Sequence, residues 1–121
     1  MRCSVLILDD HTGFRSSART LLTTSGYDVV GEACDGESAV RAAGDLRPEL
    51  VLLDVQLPDI TGFEVAHRLC EGPDPPTVVL VSSRDASDYG SRISRSGARG
   101  FIPKDELSGD TLDALLAGPP R

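Results

Sequence analysis

Apolar residues in this chain gather in five short runs: Val5-Leu6-Ile7-Leu8, Val29-Val30, Leu50-Val51-Leu52-Leu53, Val78-Val79-Leu80-Val81 and Phe101-Ile102. The runs do not alternate with polar residues, which predicts strands buried on both faces, as in a parallel sheet covered by helices. Between them the spacing becomes helical: Phe14, Ala18, Leu21 and Leu22, then Phe63, Ala66, Leu69 and Cys70, and last Leu107, Leu112, Leu115 and Leu116. Helix stops stand ahead of strands at Ser25-Gly26, Glu71-Gly72-Pro73 and Ser96-Gly97. Repeated strand and helix predict a doubly wound α/β domain, where sites form at the carboxyl ends of strands at the point where strand order reverses.

The residues at those ends are the candidates for chemistry. Asp9 and Asp10 follow the first run, Asp54 ends the third, Ser82 and Ser83 follow the fourth, and Lys104 stands just past the fifth. If the first and third strands are neighbours, the three carboxylates lie close together and each resists ionising. A hard divalent cation such as Mg2+ relieves that repulsion through oxygen ligands and leaves positions for water and phosphate. A carboxylate beside such an ion can attack phosphorus, while the metal and the Lys104 ammonium neutralise the transferring oxygens. The Ser82 hydroxyl can hydrogen-bond one of those oxygens. Each residue alone has a plainer reading: Asp54 or Asp10 as a cap or turn former, either serine as a cap, Lys104 as a solvated charge. Their order at corresponding strand ends is what points to phosphoryl transfer.

Composition narrows the field. The 121 residues, 40% of them hydrophobic, suit one domain over residues 1–117, with Gly118-Pro119-Pro120-Arg121 as a tail or linker stub. With 19 acidic against 12 basic residues and a net charge of -7, a chain built to grip nucleic-acid phosphates is disfavoured. Three widely spaced cysteines, Cys3, Cys34 and Cys70, predict neither a disulfide framework nor a metal site. The first apolar run is too short for a signal peptide or a membrane span, so a cytoplasmic location is expected. His11 lacks a second His or Cys at zinc-ligand spacing, His67 falls in a helix, and no glycine-rich phosphate loop follows the first strand.

The segments LILDDH, LLDVQLPDITGFEV, VVLVSS and GARGFIPKDEL together resemble the response-regulator receiver domain of bacterial two-component signalling, a CheY-like superfamily, from Val5 to Leu116. GFIPKDEL further resembles the subtype joined to LuxR/NarL-type DNA-binding domains. The resemblance implies a flavodoxin-like (βα)5 three-layer sandwich with a parallel sheet of order 2-1-3-4-5. It implies Asp54 as phosphoacceptor for a sensor histidine kinase. Mg2+ would be held by Asp10, by Asp9 largely through water, by Asp54 and by the Gln56 carbonyl. Ser82 and Phe101 would be the switch pair, Lys104 the phosphate contact, and Pro58 and Gly62 the tight loop after the third strand. Gln56 and Arg84 would tune hydrolysis of the aspartyl phosphate, the domain's only catalysis being its own phosphorylation and dephosphorylation.

This sequence departs from the family pattern at two places. Asp105 follows Lys104 where many members carry a cis proline, and Phe101 lacks the hydroxyl of the common tyrosine, so a switch there would work by packing alone. Output is expected through the face of the fourth helix, fifth strand and last helix, which carries Arg92 and Arg95 at i, i+3 with Arg99 just beyond. That face would pair with a second copy or another partner, the domain itself touching neither nucleic acid nor membrane. The reading is the receiver part of a transcriptional regulator. The alternatives are a stand-alone receiver, an unphosphorylated interaction module, or a phosphatase of the haloacid dehalogenase type. That last chemistry wants a second acid two residues after the nucleophile, where Gln56 stands.

Overall fold

The computed structural model describes residues 3–117. In chain order it contains β1 (Ser4–Leu8), α1 (Thr12–Thr24), β2 (Asp28–Ala33), α2 (Gly36–Leu46), β3 (Leu50–Asp54), α3 (Gly62–Cys70), β4 (Thr77–Ser82), a 3-10 turn (Ala86–Asp88), α4 (Arg92–Arg95), β5 (Gly100–Pro103), a second 3-10 turn (Lys104–Glu106) and α5 (Gly109–Ala117). All strand pairs are parallel, and the sheet runs β2-β1-β3-β4-β5, the predicted order. The chain steps outward from β1 to β2, then crosses back to β3 on the other side, so the order reverses between β1 and β3.

Side-chain alternation divides the sheet's apolar residues between two cores. Val5, Ile7, Leu50, Leu52, Val79, Val81 and Ile102 face α1 and α5, whose Ala18, Leu22 and Leu112 complete that layer. Leu6, Leu8, Val51, Leu53, Val78 and Leu80 face the opposite way, onto Ala39 and Ala43 of α2 and Phe63, Val65, Ala66 and Leu69 of α3. Every residue of β3 is buried, which is why its run reads as continuously apolar up to Asp54. Full burial of each Leu or Val side chain contributes about 1.5–3 kcal/mol, so the two layers anchor the strand ends from both sides.

The helix stops fall where the sequence places them: Gly26 and Gly97 both take the left-handed conformation, with φ of 96 and 89. One expectation about the elements needs correction. Leu107 does not belong to the last helix; it closes the second 3-10 turn and packs into the core ahead of α5. The fourth helix is a single turn, Arg92–Arg95, with no buried residue, because segment 83–99 offers few apolar side chains to dock. The tail predicted at 118–121 lies outside the described residues. Among the described residues, no helix is long and apolar enough to cross a membrane.

Candidate functional site

Strand register assembles the site. Leu8 pairs with Leu53, so the next residues, Asp9 and Asp54, emerge side by side where the strand order reverses. Asp54 pairs in turn with Val81, the residue before Ser82, and Ser82 pairs with Pro103, the residue before Lys104. Asp9, Asp54, Ser82 and Lys104 thus each stand one step past a registered pair.

Asp9 and Asp54 are both buried, at 0% and 3% exposure, whereas Asp10 is exposed. The Lys104 ammonium reaches between the two buried acids, 2.6 Å from Asp9 Oδ2 and 3.3 Å from Asp54 Oδ2. It also sits 4.5 Å from the centroid of the Phe14 ring. Asp54 Oδ1 accepts a hydrogen bond from the Gln56 N–H at 3.2 Å. Burial, and then the neighbouring Asp9 charge, raise the Asp54 carboxyl from 3.8 to about 6; Lys104 and the Gln56 N–H pull the other way and lose. Burial alone would lower Lys104, but the two carboxylates outweigh it and hold the ammonium above its usual range.

The acids are oriented from behind. Arg15 donates from Nη1 to the Asp9 carbonyl at 2.6 Å while its Nε pairs with Glu32 at 3.2 Å, tying the β1 end to β2. The backbone N–H of His11 donates to Asp9 Oδ1 at 2.8 Å. The His11 ring, although 70% exposed, places Nδ1 3.1 Å from Asp9 Oδ1 and 3.0 Å from Asp10 Oδ1. His67 stays apart in α3, paired with Glu71 at 2.9 Å.

The loop after Asp54 is fixed at both ends. Asp59 accepts from the N–H groups of Gly36 and Glu37 at 2.8 and 3.1 Å, capping α2 from a distance, and Thr61 caps α3 through the Glu64 N–H at 3.2 Å. Gly62 starts α3 directly against the end of β3. A Cβ there would strike the Asp54 carbonyl oxygen and stand 2.7 Å from Val55 Cα, so only glycine lets the helix come this close.

A divalent cation fits this pocket on two counts. Ligand atoms of Asp9, Asp10, His11 and Asp54 all lie within 4.8 Å of one another. Asp9 and Asp54 are also two buried carboxylates that share a single ammonium, Lys104, so the pocket holds more buried negative than positive charge. Ser82 is buried at the same edge, but its hydroxyl is turned to Tyr89 OH, 2.7 Å away. Phe101 is half-buried beside the Tyr89 ring, with centroids 5.9 Å apart. Arg92 lies over the Phe63 ring at 4.6 Å, whereas Arg99 donates to the Leu115 and Leu116 carbonyls at the end of α5. No cis peptide occurs among the described residues; the chain after Lys104 winds into its 3-10 turn instead.

The sequence reading named neither Tyr89 nor Arg15 nor Phe14 as site residues. Arg15 and Phe14 sit in the first turn after the acid pair, so their nearness was available from spacing. Tyr89 reaches Ser82 from an irregular segment that carries no periodic signal.

Known proteins match over nearly the whole chain. A family model described as "Response regulator receiver domain" matches residues 5–116. The Bordetella pertussis protein BvgA, described as a positive transcription regulator of virulence factors, is 34% identical over 113 residues, covering 93% of this chain and 54% of that protein. The chain spans about half the length of the curated relatives it matches. Among solved structures, the signal receiver domain of the response regulator NarL from Mycobacterium tuberculosis superposes with a TM-score of 0.84 at 31% identity, covering 97% of this chain and 98% of that one. A LuxR-family two-component response regulator from Aurantimonas sp. SI85-9A1 gives a TM-score of 0.88 at 26% identity, over 99% and 89% of the two chains. The match runs from the second residue of β1 almost to the end of α5, and the chain belongs to the response regulator receiver domain family.

Proposed function

We propose that Asp54 accepts a phosphoryl group from a phosphohistidine on a sensor kinase, with Mg2+ held by Asp9, Asp10, Asp54 and the Gln56 carbonyl. One observation carries this reading: the Asp54 carboxylate is buried between a second acid and the Lys104 ammonium, which stands 3.3 Å from it. Such an arrangement has no structural need for its negative charge and is built to receive a cation and an anion together.

In the transfer, a carboxylate oxygen of Asp54 forms a bond to phosphorus as the P–N bond of the phosphohistidine breaks and its electron pair returns to the imidazole. Bound Mg2+ would supply positive charge to the transferring oxygens. Lys104 is already in place to pair with one of them, and Ser82 can donate to another once its hydroxyl turns toward Asp54. Arg15 and the His11 N–H hold Asp9 in position. The absence of a carboxylate at Gln56 leaves no built-in acid for turnover of phosphate esters, which supports a switch over a phosphatase. The transcription regulators among its relatives support a role in gene control, with the α4, β5 and α5 face relaying the change to a second copy or another partner.

Intact-mass spectrometry tests the core of this. With a small phosphodonor and Mg2+ the chain should gain one phosphoryl group, labile to hydroxylamine as an acyl phosphate is, and Asp54→Asn should gain none. The same adduct on parent and variant would refute the assignment.

A further inference from the structure

The hydroxyl on which a phosphoryl group would draw is already committed. Ser82 is wholly buried, its Oγ accepts the Arg84 N–H at 3.1 Å, and it shares a hydrogen bond of 2.7 Å with Tyr89 OH. A serine hydroxyl has one proton and two lone pairs. With one lone pair on Arg84, Tyr89 takes either the proton or the second lone pair; in the first case the only proton is spent, and in either case swinging Oγ away toward Asp54 gives up the Tyr89 bond.

The Tyr89 ring is placed to report that change. It stands edge-on to Phe63 with centroids 5.4 Å apart and tilted against Phe101 at 5.9 Å. Phe63 directly follows Gly62, which rests on the Asp54 carbonyl, and Phe63 carries the Arg92 guanidinium of α4 on its face at 4.6 Å. Phe101 touches the same cluster but has no polar atom with which to sense Ser82. Tyr89 therefore joins the buried hydroxyl, the start of α3 and the middle of β5 through a single side chain, and it meets the turn of α4 through Phe63.

We propose that Tyr89, rather than Phe101, couples the phosphoryl site to α4: its hydroxyl holds Ser82 away from Asp54 in the resting protein, and breaking that bond lets the ring repack and shift Arg92. The inference rests on Asp54 being the phosphoacceptor. It makes Tyr89 a positioning residue, since it acts through Ser82 and never touches the phosphoryl group.

Tyr89→Phe removes the hydroxyl and keeps the ring, so the aromatic cluster is retained. The probe is beryllium fluoride with Mg2+, a phosphoryl mimic, titrated onto the full chain and followed by amide NMR. The variant should bind the mimic about fivefold more tightly, the worth of one neutral hydrogen bond. Its amide changes across Arg92 to Arg95 at saturation should be smaller than the parent's. In a Ser82→Ala background the gain from Tyr89→Phe should vanish, because the bond it removes is already gone.

Fluorescence gives a second readout. The chain has two tyrosines and no tryptophan, so in a Tyr27→Phe background Tyr89 is the sole emitter. Its emission should change when the mimic binds and stay flat when Ser82→Ala is added. Parent affinity and parent shifts in Tyr89→Phe, or an emission change that survives Ser82→Ala, overturn the coupling role while leaving Asp54 as acceptor. A parent chain that takes up no mimic overturns the acceptor reading itself, and the coupling role falls with it.

Discussion

The Lys104 ammonium stands 3.3 Å from Asp54 Oδ2, yet this one cation does not offset the burial of the acid. Asp9 takes the closer share of the same ammonium, at 2.6 Å. The edge of the sheet is therefore short of positive charge in the absence of a metal, and that deficit has consequences for stability.

The Asp54 carboxyl titrates at about 6 in the folded protein against an ordinary 3.8, so between these values the folded chain holds a proton that the unfolded chain has lost. By linkage, the stability of the metal-free protein falls as pH rises through about 4 to 6 and levels off above. Mg2+ should reverse the trend. At a hundredfold excess over its Kd, a ligand adds about 2.7 kcal/mol, and this gain should be large near neutral pH and small near pH 4, where Asp54 is protonated. Thermal melts with and without Mg2+ at the two pH values check it; equal stabilisation at both would mean that the ion binds elsewhere.

Arg15 holds the Asp9 carbonyl rather than its carboxylate, and ties it to Glu32. Arg15→Lys keeps the charge and loses the fork that makes both contacts. Calorimetry should show Mg2+ affinity reduced about tenfold, as for other residues that orient metal ligands. An unchanged affinity would show that the Asp9 position is set by the sheet alone.

Gly62→Ala places a methyl group 2.7 Å from Val55 Cα and against the Asp54 carbonyl, neither of which is a flexible side chain. The expected loss is about 1–3 kcal/mol in urea unfolding, as for other overpacked sites. Amide shifts at Asp54, Val55 and Gln56 should move with it, because α3 can retreat only by pulling on that strand end.

Leu52 and Leu53 are neighbours in β3 that serve different cores, one against α1 and α5, the other against α2 and α3. Replacing either with Ala should remove about 2–5 kcal/mol. Both variants should keep the parent m-value, since two layers sharing one sheet unfold as one unit. Leu53→Ala melting α2 and α3 while α1 and α5 stay protected from exchange would contradict that.

The strands and the site acids were legible because burial on both faces leaves a continuous apolar run that ends abruptly at a charge, as at Leu8-Asp9 and Leu53-Asp54. Parallel register then brings those ends together without further information. The segment from Arg84 to Arg99 was read less well: its contacts are tertiary, and Tyr89 finds Ser82 from a stretch with neither helical nor strand period. Leu107 was drawn into the last helix because its spacing to Leu112 resembles a helical repeat, although it is buried from a 3-10 turn. Thr61 stands three residues before Glu64 in the pattern of a helix start, a signal present in the sequence. Asp59 gave no such signal, since the amides it caps are 22 and 23 residues away.

Those two caps decide where movement can go. Displacing the loop between Val55 and Thr61 would free the Gly36 and Glu37 N–H groups of α2 and uncap α3 at once, although Asp35 still caps Ser38, so that side of Asp54 is braced. On the other side, α4 is one turn without a fully buried residue, held to the domain by partly buried Ile93 and the stacking of Arg92 on Phe63. Local opening is easiest where least is buried. A push delivered at Asp54 would thus meet a stiff side toward α2 and α3 and a compliant one toward α4.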